Sequence, residues 1–339
     1  MESFRRRGMV LTNTRAHVYG GQGTQQVGMG REIFEHSEAA KAIYRRASVT
    51  LGFSVEDLCF TDPKNVLRGN AETGKMSDPE YVQVALLVTH AAIDSALIER
   101  GVGSPGIVLG HSAGQYSGIL RGEGVQFEEL LPYVRNRGRM MREHHERLNP
   151  RIALAFGLDS DRVQLLLSSA RKVLNLREGD PFFHESVRNT DRRSVLIGPG
   201  EPAEYWSVLL AEAEKLKAKI IPYFDVPASH TLWLKMLQRE LNQVLPPFTD
   251  IKFPMISDIS GRLMRKAKQL RANYRRHVIT GVDWQGNVIT ADRLGVEYYV
   301  IIGPSKIPKG MILEIKPDAS INTTDTYADF EVAVEKFAA

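Results

Sequence analysis

The chain is poor in cysteine: Cys59 is the only one in 339 residues. No internal disulfide can form, and no cysteine-rich zinc or iron–sulfur site can be built, so the chain fits a reducing compartment. Paired Cys-x-x-Cys, His-Glu-x-x-His and EF-hand patterns are missing as well, which leaves a metal role without support. Uninterrupted apolar runs are also lacking. The most apolar stretch, Tyr81 to Leu97, contains Gln83, His90 and Asp94, and a bilayer-spanning helix would not readily accommodate them. Neither sign of charge dominates: Lys+Arg 44 against Asp+Glu 40 leaves +4, which permits anionic ligands without requiring nucleic acid. The expectation is a soluble protein bound to neither nucleic acid nor membrane. Arg5, Arg6 and Arg7 hint at organelle targeting, against which stand Glu2 and the missing amphipathic run.

What is present is ordinary globular usage, 43% hydrophobic and 25% charged, in a chain long enough for two domains or one large one. Arg15 to Tyr19 reads as a strand leading into GGQGTQQVGMG, after which a helical pattern runs from Arg31 to Leu51. A second unit begins with the strand GIVLG, continues through a helix starting just after Ser112, and leads into a helix from Phe127 to Leu148. Such alternation predicts an α/β domain with a parallel sheet. From Ile152 to Pro222 the texture reads as strand, helix, strand, helix, an inserted α+β subdomain. The main domain is expected to resume at IIPYFDV and end after YYVIIGP.

The sharpest local feature is Gly110-His111-Ser112-Ala113-Gly114, a GxSxG pattern between a strand and a helix. A nucleophile elbow needs glycine on both sides because the turn is tight, and the helix that follows aims amides and a positive dipole end at the serine. The bland alternative is a Gly-Ser turn. A serine nucleophile needs a base. His144 and His145 lie on a charged helical stretch and read as a solvated face, and His184 lies in the insert. His230, in VPASH beyond a β-like stretch, is at a position where α/β folds collect site residues, but spacing does not separate it from His277. The 20–30 loop fails as a dinucleotide fingerprint because Gln26 takes the third glycine position. GNAETGKM fails as a phosphate loop because Met76 replaces the hydroxyl, and it reads as a surface loop. The basic segment Arg262 to Arg276 reads as a solvated helix face or a docking surface for an acidic partner.

Six ordered segments together resemble the malonyl-CoA:acyl carrier protein transacylase family, the acyltransferase fold also found within fatty acid and polyketide synthases. They are GGQGTQQVGMG, GHSAGQYSG, NRGRMM, VRNTDRRSVLIGP, VPASH, and VDWQGNV followed by YYVIIGP. The resemblance implies a large α/β-hydrolase-like domain with a parallel sheet, residues 1–151 and 223–339, and an inserted small ferredoxin-like α+β subdomain, residues 152–222. It implies Ser112 as nucleophile and His230 as base, breaking the tie between histidines. Arg137 takes the family's arginine position, where a guanidinium fork holds a malonyl carboxylate. The backbone amides of Gln22 and Ala113 would form the oxyanion hole, while Asn189 and His277 fall on further site positions. His277 stands where many members have a glutamine that orients the base.

The implied partners are malonyl-CoA and an acyl carrier protein, with no metal or redox cofactor. The implied state is a monomer, cytoplasmic or alternatively in the mitochondrial matrix. Two departures stand out: Gly20 replaces a usual proline, and Gln115 a common glutamate. A serine esterase of α/β type and a non-catalytic carrier-protein-binding subunit are the competing readings. An esterase adds an acidic triad member and has no need of Arg137, and a binding module has no reason to hold Ser112, His230 and Arg137 together.

Overall fold

The computed structural model describes residues 11, 13–70, 73, 75–177 and 179–338. Arg5, Arg6 and Arg7, like Ala71, Glu72 and Gly74 of GNAETGKM, lie outside the described residues. In chain order the described strands are β1 (Arg15–Tyr19), β2 (Ile107–Gly110), β3 (Pro150–Phe156), β4 (His184–Thr190), β5 (Arg193–Pro199), β6 (Lys219–Pro222), β7 (Met255–Ile256), β8 (Leu263–Met264), β9 (Val282–Asp283), β10 (Tyr298–Ile302) and β11 (Ser320–Asn322). They form two sheets.

The first sheet runs β11-β10-β1-β2-β7-β8, parallel throughout except for β8. Its inner strands RAHVY and IVLG are buried at every position, as expected of parallel strands covered on both faces. The neighbouring helix Pro79–Glu99 starts at an Asp78 cap with proline in its first turn, a favourable start because proline has no amide hydrogen to leave unpaired. Among the described residues it alone is long and apolar enough to cross a membrane, yet most of it is buried inside the fold. Its polar residues have partners there. Asp94 accepts from Tyr19 Oη at 2.7 Å and lies 3.2 Å from His17 Nδ1, and His90 Nδ1 pairs with Ser117 Oγ at 2.8 Å.

The second sheet runs β6-β3-β5-β4-β9. With the helices Ser160–Val173 and Ala203–Lys215, its first four strands make a βαββαβ unit in the strand order of a ferredoxin-like fold. One face packs on those helices through Val163, Leu166, Leu196 and Leu209, a core of its own. The other faces the main domain. β9 joins from outside the unit, pairing Val187 with Val282 and Arg188 with Asp283, so one strand of the main chain is shared with the inserted sheet.

The structure corrects several expectations. Ser37 interrupts the Arg31–Leu51 pattern: its backbone is extended and its hydroxyl caps the helix Glu38–Leu51, leaving Arg31–His36 separate. The insert has four strands rather than two, because the polar HESVRNT forms β4 against β5, and the strand in IIPYFDV is β6 of the second sheet, paired with β3. The main domain does not end after YYVIIGP. β11 and the helices Lys306–Ile315 and Tyr327–Phe337 follow.

Candidate active site

β1 and β2 lie side by side with Tyr19 opposite Gly110, so the loops leaving both strands emerge together at their carboxyl ends, where open α/β sheets bind ligands. The closeness is what glycine permits. A Cβ on Gly114 would lie 2.2 Å from the Tyr19 carbonyl, and one on Gly21 would lie 2.4 Å from the His111 carbonyl. Ser112 sits at the tip of the elbow with φ +48, a left-handed conformation that costs a side chain about 1 kcal/mol and has to be held by its surroundings. Its amide donates to Asp258 Oδ2 at 2.9 Å.

Ser112 Oγ lies 2.8 Å from His230 Nε2. On the other side of the ring, Nδ1 lies 3.0 Å from the backbone carbonyls of both His277 and Thr280. Two acceptors there place the proton on Nδ1, so Nε2 is free to accept the serine proton. Burial, then the adjacent His277 ring, pushes His230 down to about 3, which keeps it neutral at neutral pH. Of the two histidines that spacing left open, the one touching the serine is His230, and His277 supports it through its backbone. His230 is also left-handed, with φ +57, and its loop is pinned from several sides. Ala228 N donates to His145 Nδ1 at 3.0 Å, Ser77 N to the Phe224 carbonyl at 3.2 Å, and Gly69 N to Asp225 Oδ1 at 3.0 Å. The expectation of a solvated face at His144 and His145 is therefore corrected. His144 is buried against Glu240, and His145 braces the loop that carries His230.

Arg137 comes from the helix Phe127–Leu148, which lies against Pro79–Glu99 so closely that a Cβ on Gly138 would sit 2.2 Å from the Pro79 carbonyl. Arg135, Arg139 and Arg142, its neighbours in sequence, pair with Glu80, Glu143 and Asp78. Arg137 is 1% exposed, lies over the Tyr116 ring at 5.2 Å, and donates to Gln83 Oε1 at 2.5 Å. Its Nε and Nη2 have no hydrogen-bond partner among the described residues. Gln83 in turn donates to Gln22 Oε1 at 3.2 Å, tying the arginine to the loop after β1. Gln83 is one residue that reading the sequence missed, because it sits within an apolar helical run.

A cavity of about 160 Å³ brings together Gln22, Ala113, Ser112, His230, Arg137 and Asn189. His277 does not line it and acts from behind His230. Asn189 Oδ1 accepts from His111 Nε2 at 2.9 Å, so this side chain braces the elbow from the inserted sheet. The other contributions of that sheet follow the alternation of strands: Leu154 and Phe156 from β3, Val187 from β4, Arg193 and Val195 from β5. No residue of Arg262 to Arg276 lines the cavity. Of the two departures, Gln115 has a physical reason: its amide donates to the carbonyls of Gly110 at 2.8 Å and Ile256 at 2.9 Å, and an ionised glutamate could not donate.

An elbow serine held against a neutral histidine, beside a buried guanidinium with unused donors, defines an acyl-transfer site. The chain belongs to the acyl transferase domain family, whose model matches residues 16–282. It is similar to the malonyl CoA-acyl carrier protein transacylase of Staphylococcus aureus (strain MW2), 26% identical over 317 residues that cover 93% of this chain and 96% of that protein. The enzyme of the same name from Bacillus subtilis (strain 168) is 26% identical over 302 residues, 88% of this chain and 90% of its own. In fold it matches the malonyl-CoA:acyl carrier protein transacylase of Xanthomonas oryzae pv. oryzae with a TM-score of 0.85 at 22% identity, over 97% of this chain and 100% of that one. A malonyl-transacylase solved in complex with a type II PKS acyl-carrier protein matches with a TM-score of 0.84 at 23% identity, over 95% of this chain and 99% of that one.

Proposed function

We propose that this chain transfers a malonyl group from malonyl-CoA to the phosphopantetheine thiol of an acyl carrier protein, supplying fatty acid or polyketide synthesis. The observation that carries the choice of acyl group is Arg137, a buried cation with two nitrogens unpaired among the described residues, sharing one cavity with Ser112 and His230. A malonyl carboxylate would accept from those donors in the parallel geometry that guanidinium favours. An acetyl group would leave them unsatisfied, at about 1–3 kcal/mol or more for a charged group.

The chemistry then follows from the protons. Ser112 Oγ attacks the thioester carbonyl as its proton passes to His230 Nε2. The oxyanion is received by the backbone amides of Gln22 and Ala113, and the C–S bond breaks. The CoA thiolate leaves with the proton from His230, and a malonyl-serine ester remains. The carrier protein's thiol repeats the sequence in reverse, losing its proton to His230 and restoring Ser112 Oγ–H. Apolar Leu154, Phe156, Val187 and Val195 on the inserted sheet, within the proposed 152–222 subdomain, keep water from the ester. The esterase reading is disfavoured because His230 Nδ1 faces two backbone carbonyls rather than a carboxylate. We place the activity in the cytoplasm, as a monomer, with the mitochondrial matrix as the alternative compartment.

Intact-protein mass spectrometry after brief incubation with malonyl-, methylmalonyl- and acetyl-CoA tests this. The expected result is a malonyl-sized adduct that requires Ser112 and is discharged by carrier protein. Hydrolysis of simple esters through Ser112 with no adduct from any CoA ester would overturn the reading in favour of a hydrolase.

A further inference from the structure

Four hydrogen bonds close into a ring around the dyad. Ser112 Oγ meets His230 Nε2 at 2.8 Å, and His230 Nδ1 meets the His277 carbonyl at 3.0 Å. His277 Nε2 lies 3.1 Å from both carboxylate oxygens of Asp258, and Asp258 Oδ2 accepts from Ser112 N at 2.9 Å. Asp258 is fully buried, at 0% exposure, and its backbone carbonyl accepts from Asp283 N at 2.9 Å, so the strand shared with the inserted sheet holds it as well. His277 Nδ1 has no hydrogen-bond partner among the described residues, which places the imidazole proton on Nε2, pointing at Asp258.

We propose that Asp258 is the positioning residue of this site: one buried carboxylate holds the strained backbone of the nucleophile and, through His277, the carbonyl that orients the base. Both Ser112 and His230 carry a positive φ, a conformation that persists only where surrounding contacts over-determine it. A carboxylate suits the place because both of its neighbours are donors, the Ser112 amide and the His277 ring, and it offers acceptors only. The arrangement differs from a serine–histidine–acid triad. Here the acid touches neither the base's ring nor the serine hydroxyl, and it acts through two backbone atoms.

This inference rests on the reading of Ser112 and His230 as nucleophile and base, and the experiment separates the two. Asp258→Asn keeps the shape but turns one oxygen into an N–H donor facing the His277 N–H. His277 can adapt only by moving its proton to Nδ1, which has no acceptor. Asp258→Asn combined with His277→Gln restores complementary groups, because the asparagine oxygen still accepts from the Ser112 amide while its N–H donates to the glutamine side-chain oxygen. In single-turnover acylation by malonyl-CoA, the single variant should lose about 100-fold in rate while half-saturation by malonyl-CoA stays within about twofold. The double variant should recover to within about tenfold of wild type. A single variant within threefold of wild type would overturn the proposal. So would a double variant no faster than the single, or weakened half-saturation that accounts for the loss. If the single variant does not fold, the double variant alone carries the test and must acylate within about tenfold of wild type. Ser112→Ala is the control: an adduct that persists in it removes the parent reading, whereas loss of the adduct with Asp258→Asn unaffected removes only the role of Asp258.

Discussion

The two walls of the cavity are made of different materials. From the parallel sheet and its helices come Ser112, Gln22, Arg137 and the backbone of Ala113, polar groups fixed by strained turns, close glycine contacts and buried hydrogen bonds, with Met141, Ile307, Pro308 and Met311 the apolar exceptions. From the inserted antiparallel sheet come Leu154, Phe156, Val187 and Val195, side chains of alternate strand positions, with Asn189 and Arg193 the polar exceptions. The contrast separates chemistry from containment. Bond-making groups need placement to fractions of an ångström, which a doubly covered sheet supplies, whereas a water-excluding wall needs only apolar surface in the right place. Substitutions on the first wall should therefore cost orders of magnitude, and those on the second much less.

The largest effect belongs to the dyad. Ser112→Ala or His230→Ala should reduce carrier-protein malonylation by about 10³-fold or more, with the acyl-enzyme mass absent for Ser112→Ala. A Ser112→Ala enzyme that still became acylated would place the nucleophile elsewhere and dissolve the contrast. Next comes Arg137→Ala. The ratio of malonyl to acetyl adduct should fall by about 10²-fold or more, because a site built to hydrogen-bond a group discriminates strongly against its absence. Adduct ratios after mixed-substrate incubation read this directly. An unchanged ratio would mean that Arg137, for all its burial, is structural.

How much of this could be read from the residues alone depended on whether the signal was local. The elbow was legible because strand, glycine, serine, glycine and helix follow one another within a few positions. The split between His230 and His277 was not, since what separates them is contact across 118 residues of sequence, and a family likeness had to supply it. Hydrophobic pattern alone missed β4, which only the family likeness touched, because HESVRNT lacks apolar runs and is held by pairing with distant segments. His145 was misread from its charged neighbours, although Arg137, Met141, His144 and His145 share one helical face at i, i+4, i+7 and i+8. Asp258, within SDISG, belongs to no local motif and drew no reading from the sequence. Its position at the end of β7, beside β2, was the available clue, since that is where such sheets gather site residues.

A third effect concerns the wall that carries the chemistry, read through pH. Burial pushes His90 down to about 4 and His230 down to about 3. In the unfolded chain a histidine takes its proton near pH 6.5. Between those values the unfolded state binds more protons, so stability is complete above about 6.5 and is lost as pH falls. His90, whose Nδ1 is held by Ser117, accounts for about 3 kcal/mol over that window. Urea unfolding at pH 7 and pH 4.5 should show the midpoint falling, and His90→Gln should flatten the dependence. Equal midpoints at the two pH values would mean that the buried histidines are not kept neutral.

The smallest effect tests the second wall at a polar contact it makes with the elbow. Asn189 accepts from His111 Nε2 across the boundary between the two sheets, and His111 is the residue immediately before Ser112. Replacing it by alanine removes a buried acceptor at a net cost of about 1 kcal/mol in positioning, equivalent to roughly fivefold in rate. The Ser112 turn remains held by its amide bond to Asp258, so the loss should stop there. Asn189→Ala should thus malonylate carrier protein about fivefold more slowly, with the malonyl-to-acetyl ratio unchanged because Arg137 is untouched. A loss approaching that of the dyad would show that the inserted sheet takes part in the chemistry. A changed acyl ratio would show that Asn189 contacts the substrate, and either result would end the division between the two walls.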